Sequence, residues 1–188
     1  MTQPTTIIYL TGKPGVGKYT IAKELASKHG YIVCDNQLIN NPIFELLQYD
    51  GYAKIPHFAW DAIARIRAEV FDFLAKSTQN SYVLTNCLAD TEEDKQLYGK
   101  VQKMAEKRGS LFIPVQIQIS KEEHLKRLTR RERRERWKSI DPIDAEDHGP
   151  LISISHPNLL ELNVSNLSPE DAAMAIMKHI KSLLREKT

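Results

Sequence analysis

The sequence contains little cysteine and no long hydrophobic run. Cys34 and Cys87 are its two cysteines, which are too few for a disulfide scaffold or a zinc site built from cysteines. No stretch approaches the roughly 20 apolar residues that span a bilayer, and residues 1–6 lack the basic region and apolar run of a signal peptide. We therefore expect a cytoplasmic protein with free thiols and no membrane anchor.

The overall charge is also small, but it is unevenly distributed. The net charge is +2, with 41% hydrophobic and 27% charged residues, which is ordinary for a globular protein. The 188 residues fit one domain, so we treat residues 1–188 as a single unit. The densest charge is a basic run formed by Lys126, Arg127, Arg130, Arg131, Arg133, Arg134, Arg136 and Lys138.

Short apolar runs alternate with segments of helical periodicity. Residues 7–10 and 31–34 flank a helical pattern that ends at His29-Gly30, which predicts a βαβ unit with parallel strands. Further strands are predicted at 82–85, 111–119 and 159–164, and helices at 57–77, 91–107, from 120 and from 168. Between 38 and 47 a short helix broken at Pro42 is expected. Together these elements predict a three-layer α/β domain with a mainly parallel sheet.

A glycine-rich segment follows the first predicted strand and reads Gly12-Lys13-Pro14-Gly15-Val16-Gly17-Lys18-Tyr19-Thr20. It contains G-x-x-x-x-G-K, the P-loop pattern, between a strand and a helix, which is the context that supports phosphate binding. Glycines let backbone N–H groups approach phosphate oxygens, and the helix beginning near Lys18 adds its N-terminal partial charge. We expect Lys18 to stabilise the charge that shifts during phosphoryl transfer. The expected nucleotide-binding residues are Gly12, Pro14, Gly15, Val16, Gly17, Lys18, Tyr19 and Thr20.

One position departs from the usual pattern. Tyr19 occupies the place of the serine or threonine whose hydroxyl normally binds Mg²⁺, and Thr20 follows it. Tyrosine is too long and stiff to make that contact from the same backbone position. We therefore assign the magnesium-side hydroxyl to Thr20.

With this loop on the first of five strands, the chain resembles the nucleoside-monophosphate-kinase-like group of P-loop kinases, which includes adenylate, shikimate and gluconate kinases. Gly17-Lys18-Tyr19-Thr20 is similar to the adenylate-kinase loop, and residues 35–40, 85–86 and 156–170 resemble bacterial proteins labelled AAA-family ATPase or shikimate-kinase-like. The resemblance implies a P-loop NTPase fold with a five-stranded sheet of order 2-3-1-4-5. Ligands would then lie above the carboxyl ends of the strands.

The resemblance also implies two regions that handle ligands. Residues 36–79 would form an acceptor-side helical region, and the arginine-rich residues 127–150 a lid that closes on ATP. Arginine suits a lid because its planar guanidinium binds phosphate oxygens bidentately and stays charged. Two arginines are expected to contact phosphates, with two others as substitutes: Arg127 and Arg131, then Arg130 and Arg134. For most other basic residues in the run we expect a solvated helix face.

Three further residues are candidate substrate contacts. Asp35 ends the second strand, where an aspartate in antibiotic and sugar kinases of this group accepts the proton of the acceptor hydroxyl; the alternative is a helix N-cap. Asn86 ends the third strand and could bind substrate or a metal-bound water, or simply begin a turn. Arg67 could bind an acceptor phosphate or lie at the surface. Adenylate kinases carry an acidic residue after the third strand that is missing here, and Asp35, Asn86 or Asp90 are the candidates to replace it.

These features predict a kinase that transfers the γ-phosphoryl group of ATP, bound with Mg²⁺, to a hydroxyl of a small molecule. A nucleoside or nucleotide kinase is the first alternative, because the lid and acceptor region would serve it equally well. The second is a regulatory P-loop ATPase that binds nucleic acid, although the basic run is short and contains no aromatic residue except Trp137. The acceptor is not identified. We expect a monomer or homodimer without nucleic-acid or membrane partners.

Overall fold

The computed structural model describes residues 4–50, 53–128 and 149–186. Its strands are β1 (Thr6–Thr11), β2 (Ile32–Asp35), β3 (Tyr82–Asn86), β4 (Leu111–Gln118) and β5 (Leu160–Asn163). They form one sheet in the order β2-β3-β1-β4-β5, and each neighbouring pair is parallel. The predicted α/β fold of the P-loop NTPase type and its strand order 2-3-1-4-5 are confirmed.

Helices cover both faces of the sheet. They are α1 (Lys18–His29), α2 (Asn36–Leu46), α3 (His57–Lys76), α4 (Glu92–Lys107), α5 (Lys121–Leu128) and α6 (Pro169–Glu186). Their bounds agree with the predicted helices to within one or two residues where both ends were predicted. Within the described ranges, no helix combines the length and the apolar character that crossing a bilayer requires.

Two hydrophobic cores lie on opposite faces of the sheet. Ile8 and Leu10 of β1 pack with α1 and α6, whereas Ile7 and Tyr9 pack with α2, α3 and α4. Successive side chains of a strand point to opposite faces, so a strand covered on both sides reads as a continuous apolar run. The arrangement gives the three layers and leaves the carboxyl ends of the strands at one common edge.

The expected break at Pro42 is wrong, because α2 runs through this residue. Proline lacks the N–H that would bond to the carbonyl four residues earlier, at Leu38. Pro42 is exposed and the side chain of Leu38 is 62% exposed, so both lie on the outer face of the helix. Water can replace the missing bond there, and the helix continues.

The predicted lid is described only at its two ends. Residues 129–148 lie outside the described part of the chain, and with them the substitutes Arg130 and Arg134 and the candidate Arg131. Their expected roles stay predictions. Arg127, in the last turn of α5, is described.

Candidate active site

The glycine-rich loop lies between β1 and α1, at the carboxyl edge of the sheet. Gly12, Gly15 and Gly17 have φ angles of 146°, 85° and 103°. A Cβ on Gly12 would lie 2.7 Å from the backbone oxygen of Ile117 in β4, closer than a Cβ can approach a non-bonded oxygen. Gly17 is the N-cap of α1 and is left-handed, a conformation that glycine adopts without a steric penalty. The backbone therefore makes the turn that the pattern predicts.

Lys18 begins α1 and folds back over the loop. Its Nζ donates to the oxygens of Gly12 at 2.6 Å and Lys13 at 2.8 Å. The ammonium group thus lies over the loop that leads into α1, a helix whose first backbone N–H groups cannot bond within the helix. A cation, the backbone amides of the loop and the positive end of a helix dipole together favour a bound anion.

Helix α5 contacts the loop through a histidine that sequence reasoning missed. His124 is 3% exposed, and its Nε2 lies 2.5 Å from the oxygen of Pro14. A carbonyl oxygen can only accept, so Nε2 carries the proton and donates. His124 and Lys13 also line a cavity of about 350 Å³ between the loop, the end of β4 and α5.

Arg127 contacts the same loop one helical turn later. Its Nη1 donates to the oxygen of Val16 at 3.1 Å, and its Nη2 to the oxygen of Val164 at 3.0 Å, just beyond β5. Its Nε donates to the carboxylate of Glu123 at 2.8 Å. The guanidinium also lies beside Gly17, since a Cβ there would be 3.4 Å from Nη1. Arg127 is therefore at the glycine loop, and its contact with phosphate stays a prediction.

Tyr19 and Thr20 occupy the first turn of α1. The ring of Tyr19 faces the next turn of the helix, with Nζ of Lys23 at 5.3 Å from the ring centroid. Thr20 is exposed. The assignment of the magnesium-side hydroxyl to Thr20 stays a prediction.

Asp35 is placed by the end of β2 and the start of α2. The residue is 3% exposed, and its Oδ1 accepts from the backbone N–H of Leu38 at 3.0 Å. This is the N-cap bond that the alternative interpretation expects. As the last residue of β2, which pairs with β3, Asp35 places a carboxylate at the carboxyl edge of the sheet and is a candidate base.

Asn86 ends β3 and contacts β1 rather than standing free. Its Nδ2 donates to the hydroxyl of Tyr9 at 3.2 Å, and its Oδ1 accepts from the N–H of Cys87 at 3.2 Å. Burial raises the pKa of Tyr9, partly offset by the bond from Asn86, so the phenol remains neutral. The amide thus joins the two central strands below the site.

Arg67 points into the protein, and the expected alternative of a surface position is wrong. Its Nη2 donates to Oδ1 of Asn36 at 2.9 Å and to Oδ1 of Asn40 at 3.0 Å. These asparagines are four residues apart and so share one face of α2. Burial lowers the pKa of Arg67, since desolvation disfavours the charged form. A half-buried guanidinium therefore lies within residues 36–79, the predicted acceptor-side region.

The candidates for the missing acidic residue differ in their surroundings. Asp90 is exposed and pairs with Nζ of Lys95 at 2.6 Å. Asp94, which sequence reasoning missed, is half-buried and accepts from the N–H of Ala89 at 2.7 Å. Burial raises the pKa of Asp94, while that bond and the charge of Arg67 lower it. Among these carboxylates only Asp35 is almost fully buried at a strand end.

Solved structures share this fold over nearly the whole chain. A candidate kinase from Chloroflexus aurantiacus is 16% identical, with a TM-score of 0.68, over 97% of this chain and 99% of that chain. A gluconokinase from Sinorhizobium meliloti is 14% identical, with a TM-score of 0.60, over 97% of this chain and 95% of that chain. The Mycobacterium tuberculosis APS kinase, in complex with AMPPNP and APS, is 16% identical, with a TM-score of 0.59, over 96% of this chain and 99% of that chain.

These identities establish a common fold. No curated protein matches the sequence. Residues 8–148, which include the whole glycine loop, match the model of the AAA domain. The match spans most of the chain and agrees with the loop geometry and the strand order, so the protein belongs to the AAA domain family of P-loop proteins.

Proposed function

We propose that the protein is an ATP-dependent phosphotransferase that moves the γ-phosphoryl group to a hydroxyl of a small molecule. The observation that carries this proposal is the glycine loop with Lys18 folded over it, at the same sheet edge as the buried Asp35. A nucleotide-binding loop alone would fit any P-loop ATPase. The nearby carboxylate and the kinases among the structural neighbours favour transfer to an acceptor.

The donor set of the loop fits a nucleotide with its metal ion. The amides of the turn and the ammonium of Lys18 would hold the phosphates. Mg²⁺ usually takes only one or two protein oxygens, with phosphates and waters completing its shell, and the exposed hydroxyl of Thr20 would supply one. When bound, the metal would offset phosphate charge.

In the proposed transfer, residues of this chain accept the proton and stabilise the leaving group. The acceptor oxygen bonds to the γ-phosphorus, its proton passes to the carboxylate of Asp35, and the bond to the β–γ bridging oxygen breaks to release ADP. Lys18, with Arg127 and Arg131 from the lid, would stabilise the charge that moves to the leaving phosphate. Asn86 would help to position the acceptor.

The two roles of Asp35 can be separated by substitution. Asparagine caps helices about as well as aspartate but cannot take a proton. Asp35→Asn should therefore leave the free energy of unfolding within a few tenths of a kcal/mol and reduce kcat by about 10²- to 10⁴-fold. Asp35→Ala should lose the same activity and also about 1 kcal/mol of stability. If Asp35→Asn keeps the full turnover of the parent, Asp35 is only the N-cap of α2 and not a base.

A nucleotide kinase remains a second candidate because of Arg67. The hydrogen-bond partners of its guanidinium are the neutral oxygens of Asn36 and Asn40. The carboxylate of Asp94 also acts on Arg67 through its charge. A half-buried cation whose hydrogen bonds go to neutral groups is still better stabilised by an added anion than an exposed one would be. We therefore propose that Arg67 binds an anionic group of the acceptor, which a nucleoside monophosphate would supply.

This role predicts a selective change in acceptor affinity. Arg67→Gln should raise KM for a phosphate-bearing acceptor by about 10- to 100-fold, the range expected for a lost hydrogen bond to a charged group, with KM for ATP unchanged. Arg65→Gln is the matched control, because Arg65 is exposed on the same helix. If Arg67→Gln and Arg65→Gln have equal effects on KM, Arg67 does not bind the acceptor.

The function itself is tested by following labelled phosphate. The protein is incubated with γ-labelled ATP, Mg²⁺ and panels of hydroxyl metabolites, antibiotics, nucleosides and nucleoside monophosphates, beside Lys18→Ala as the blank. Label should appear on an acceptor with the parent protein and not with Lys18→Ala. If no label moves and Lys18→Ala hydrolyses ATP like the parent, the protein is not a kinase.

A further inference from the structure

The carbonyl groups of the glycine loop are held by donors that come from two elements, α1 and α5. Lys18 binds the oxygens of Gly12 and Lys13, and the N–H of Ile21 donates to the oxygen of Gly17 at 3.0 Å within α1. The remaining two bonds come from α5. His124 donates to the oxygen of Pro14 at 2.5 Å, and Arg127 donates to the oxygen of Val16 at 3.1 Å.

The direction of these carbonyls matters because the C=O and N–H bonds of one peptide group point in opposite directions. A loop that binds phosphate must turn its N–H groups towards the ligand, and carbonyl oxygens facing the same space would repel it. A donor that binds a carbonyl from outside therefore also fixes the adjacent amides facing inward. His124 and Arg127 do this from one face of α5, because residues three apart on a helix are neighbours.

Lys18 cannot hold the loop throughout the reaction. Its Nζ is bound to Gly12 and Lys13, and the same group must turn to the β- and γ-phosphates when ATP binds. His124, the donor from α5 to Pro14, is not required to turn to the phosphates. His124 is 3% exposed, and its Nε2 is bonded to the oxygen of Pro14.

Helix α5 is itself fixed to the end of the sheet. The N–H of Ser120 donates to Oγ of Ser165 at 2.7 Å, and Arg127 donates to the oxygen of Val164 at 3.0 Å. Both partners lie just after β5. These two bonds attach α5 to the end of β5 at both ends of the helix.

We propose that His124 is a positioning residue that holds the glycine loop in its phosphate-binding shape through the carbonyl of Pro14. The proposal rests on the nucleotide site of the proposed function, but it does not depend on which acceptor is used. His124 acts through the loop and exchanges no proton with a substrate. Its single requirement is an N–H donor at the position of Nε2.

The test compares substitutions that keep or remove this donor. His124→Leu removes it, His124→Gln can place an amide N–H near the position of Nε2, and His124→Asn is too short to reach Pro14. His179→Leu is the matched control, because His179 also bonds through Nε2 to a backbone oxygen, that of Asn158 at 3.0 Å, far along the chain from the loop. ATP·Mg²⁺ binding is measured by calorimetry and thermal stability by unfolding.

His124→Leu and His124→Asn should weaken ATP·Mg²⁺ binding by about three- to tenfold, the range for one net hydrogen bond. His124→Gln should restore affinity to near the parent value, and His179→Leu should leave it unchanged even if its Tm falls. If His124→Leu fails to fold, the Gln and Asn pair still decides. Equal affinity of those two variants, or an equal loss in His179→Leu, would overturn the proposal. A parent protein that does not bind ATP would overturn it together with the nucleotide site, whereas ATP binding without any acceptor would defeat only the proposed function.

Discussion

Lys18→Ala is expected to reduce kcat for phosphoryl transfer by about 10²- to 10³-fold, the loss that follows removal of one preorganised charge-stabilising group. The ammonium group lies over the glycine loop, bonded to the oxygens of Gly12 and Lys13. From there it would reach the phosphates and offset the charge that shifts as the bond to the γ-phosphorus breaks. Steady-state kinetics at saturating ATP measures the effect.

The matched control for this substitution is Lys23→Ala. Lys23 is exposed on α1, one turn beyond Lys18, and its Nζ lies over the ring of Tyr19. Its removal should leave kcat within about twofold, because its Nζ lies over the ring of Tyr19, whereas Nζ of Lys18 lies over the glycine loop. If Lys18→Ala retains the turnover of Lys23→Ala, Lys18 does not act on the transferred phosphate.

Gly12→Ala is expected to destabilise the protein by about 2 to 5 kcal/mol and to abolish measurable ATP binding, because backbone strain and overpacking add at one residue. The residue has a φ of 146°, which side chains rarely tolerate. The added Cβ would also lie 2.7 Å from the backbone oxygen of Ile117. That oxygen belongs to β4, next to β1 in the sheet, so it cannot rotate away as a side chain could. Urea unfolding with linear extrapolation measures the loss.

Gly99→Ala provides the matching substitution in a helix. Gly99 lies within α4, and a Cβ there would meet nothing within 4 Å. Alanine loses less backbone entropy than glycine on folding, so this change should stabilise the protein by about 0.5 to 1 kcal/mol. Similar changes in stability for both variants would mean that β4 does not press on Gly12.

Local elements were predictable because their signals are contiguous. The run Ile7-Ile8-Tyr9-Leu10 and the glycines after it define β1 and its turn within a few residues. The local sequence around a strand does not show which strands will pair with it. Residues on β1 pair with β3 and β4, more than 70 positions along the chain, and the order 2-3-1-4-5 came from the resemblance.

The error at Pro42 shows the limit of propensity rules. Proline does remove a helical hydrogen bond, but the loss of stability depends on whether the carbonyl four residues earlier can bond to water instead. The sequence does not say that Leu38 and Pro42 lie on the outer face of α2, because that depends on where α2 packs.

The glycine loop was the predictable part of the site, and the contacts around it were not. The bond from His124 joins residues 110 positions apart, and nothing in the local sequence links α5 to Pro14. Arg67 was named as a candidate, but its contacts with Asn36 and Asn40 were not predicted, although their spacing of four residues was a usable sign of a polar helix face. Asp35 was found by its place after β2, which fits both a cap and a base.

The central claim is that the loop from Gly12 to Thr20 binds the triphosphate of a nucleotide. Titration of the purified protein with ATP and Mg²⁺ by calorimetry tests it without requiring an acceptor. We expect saturable binding at one site per chain, lost in Gly12→Ala and retained in Gly99→Ala. Absence of saturable binding with both ATP and GTP would contradict the claim.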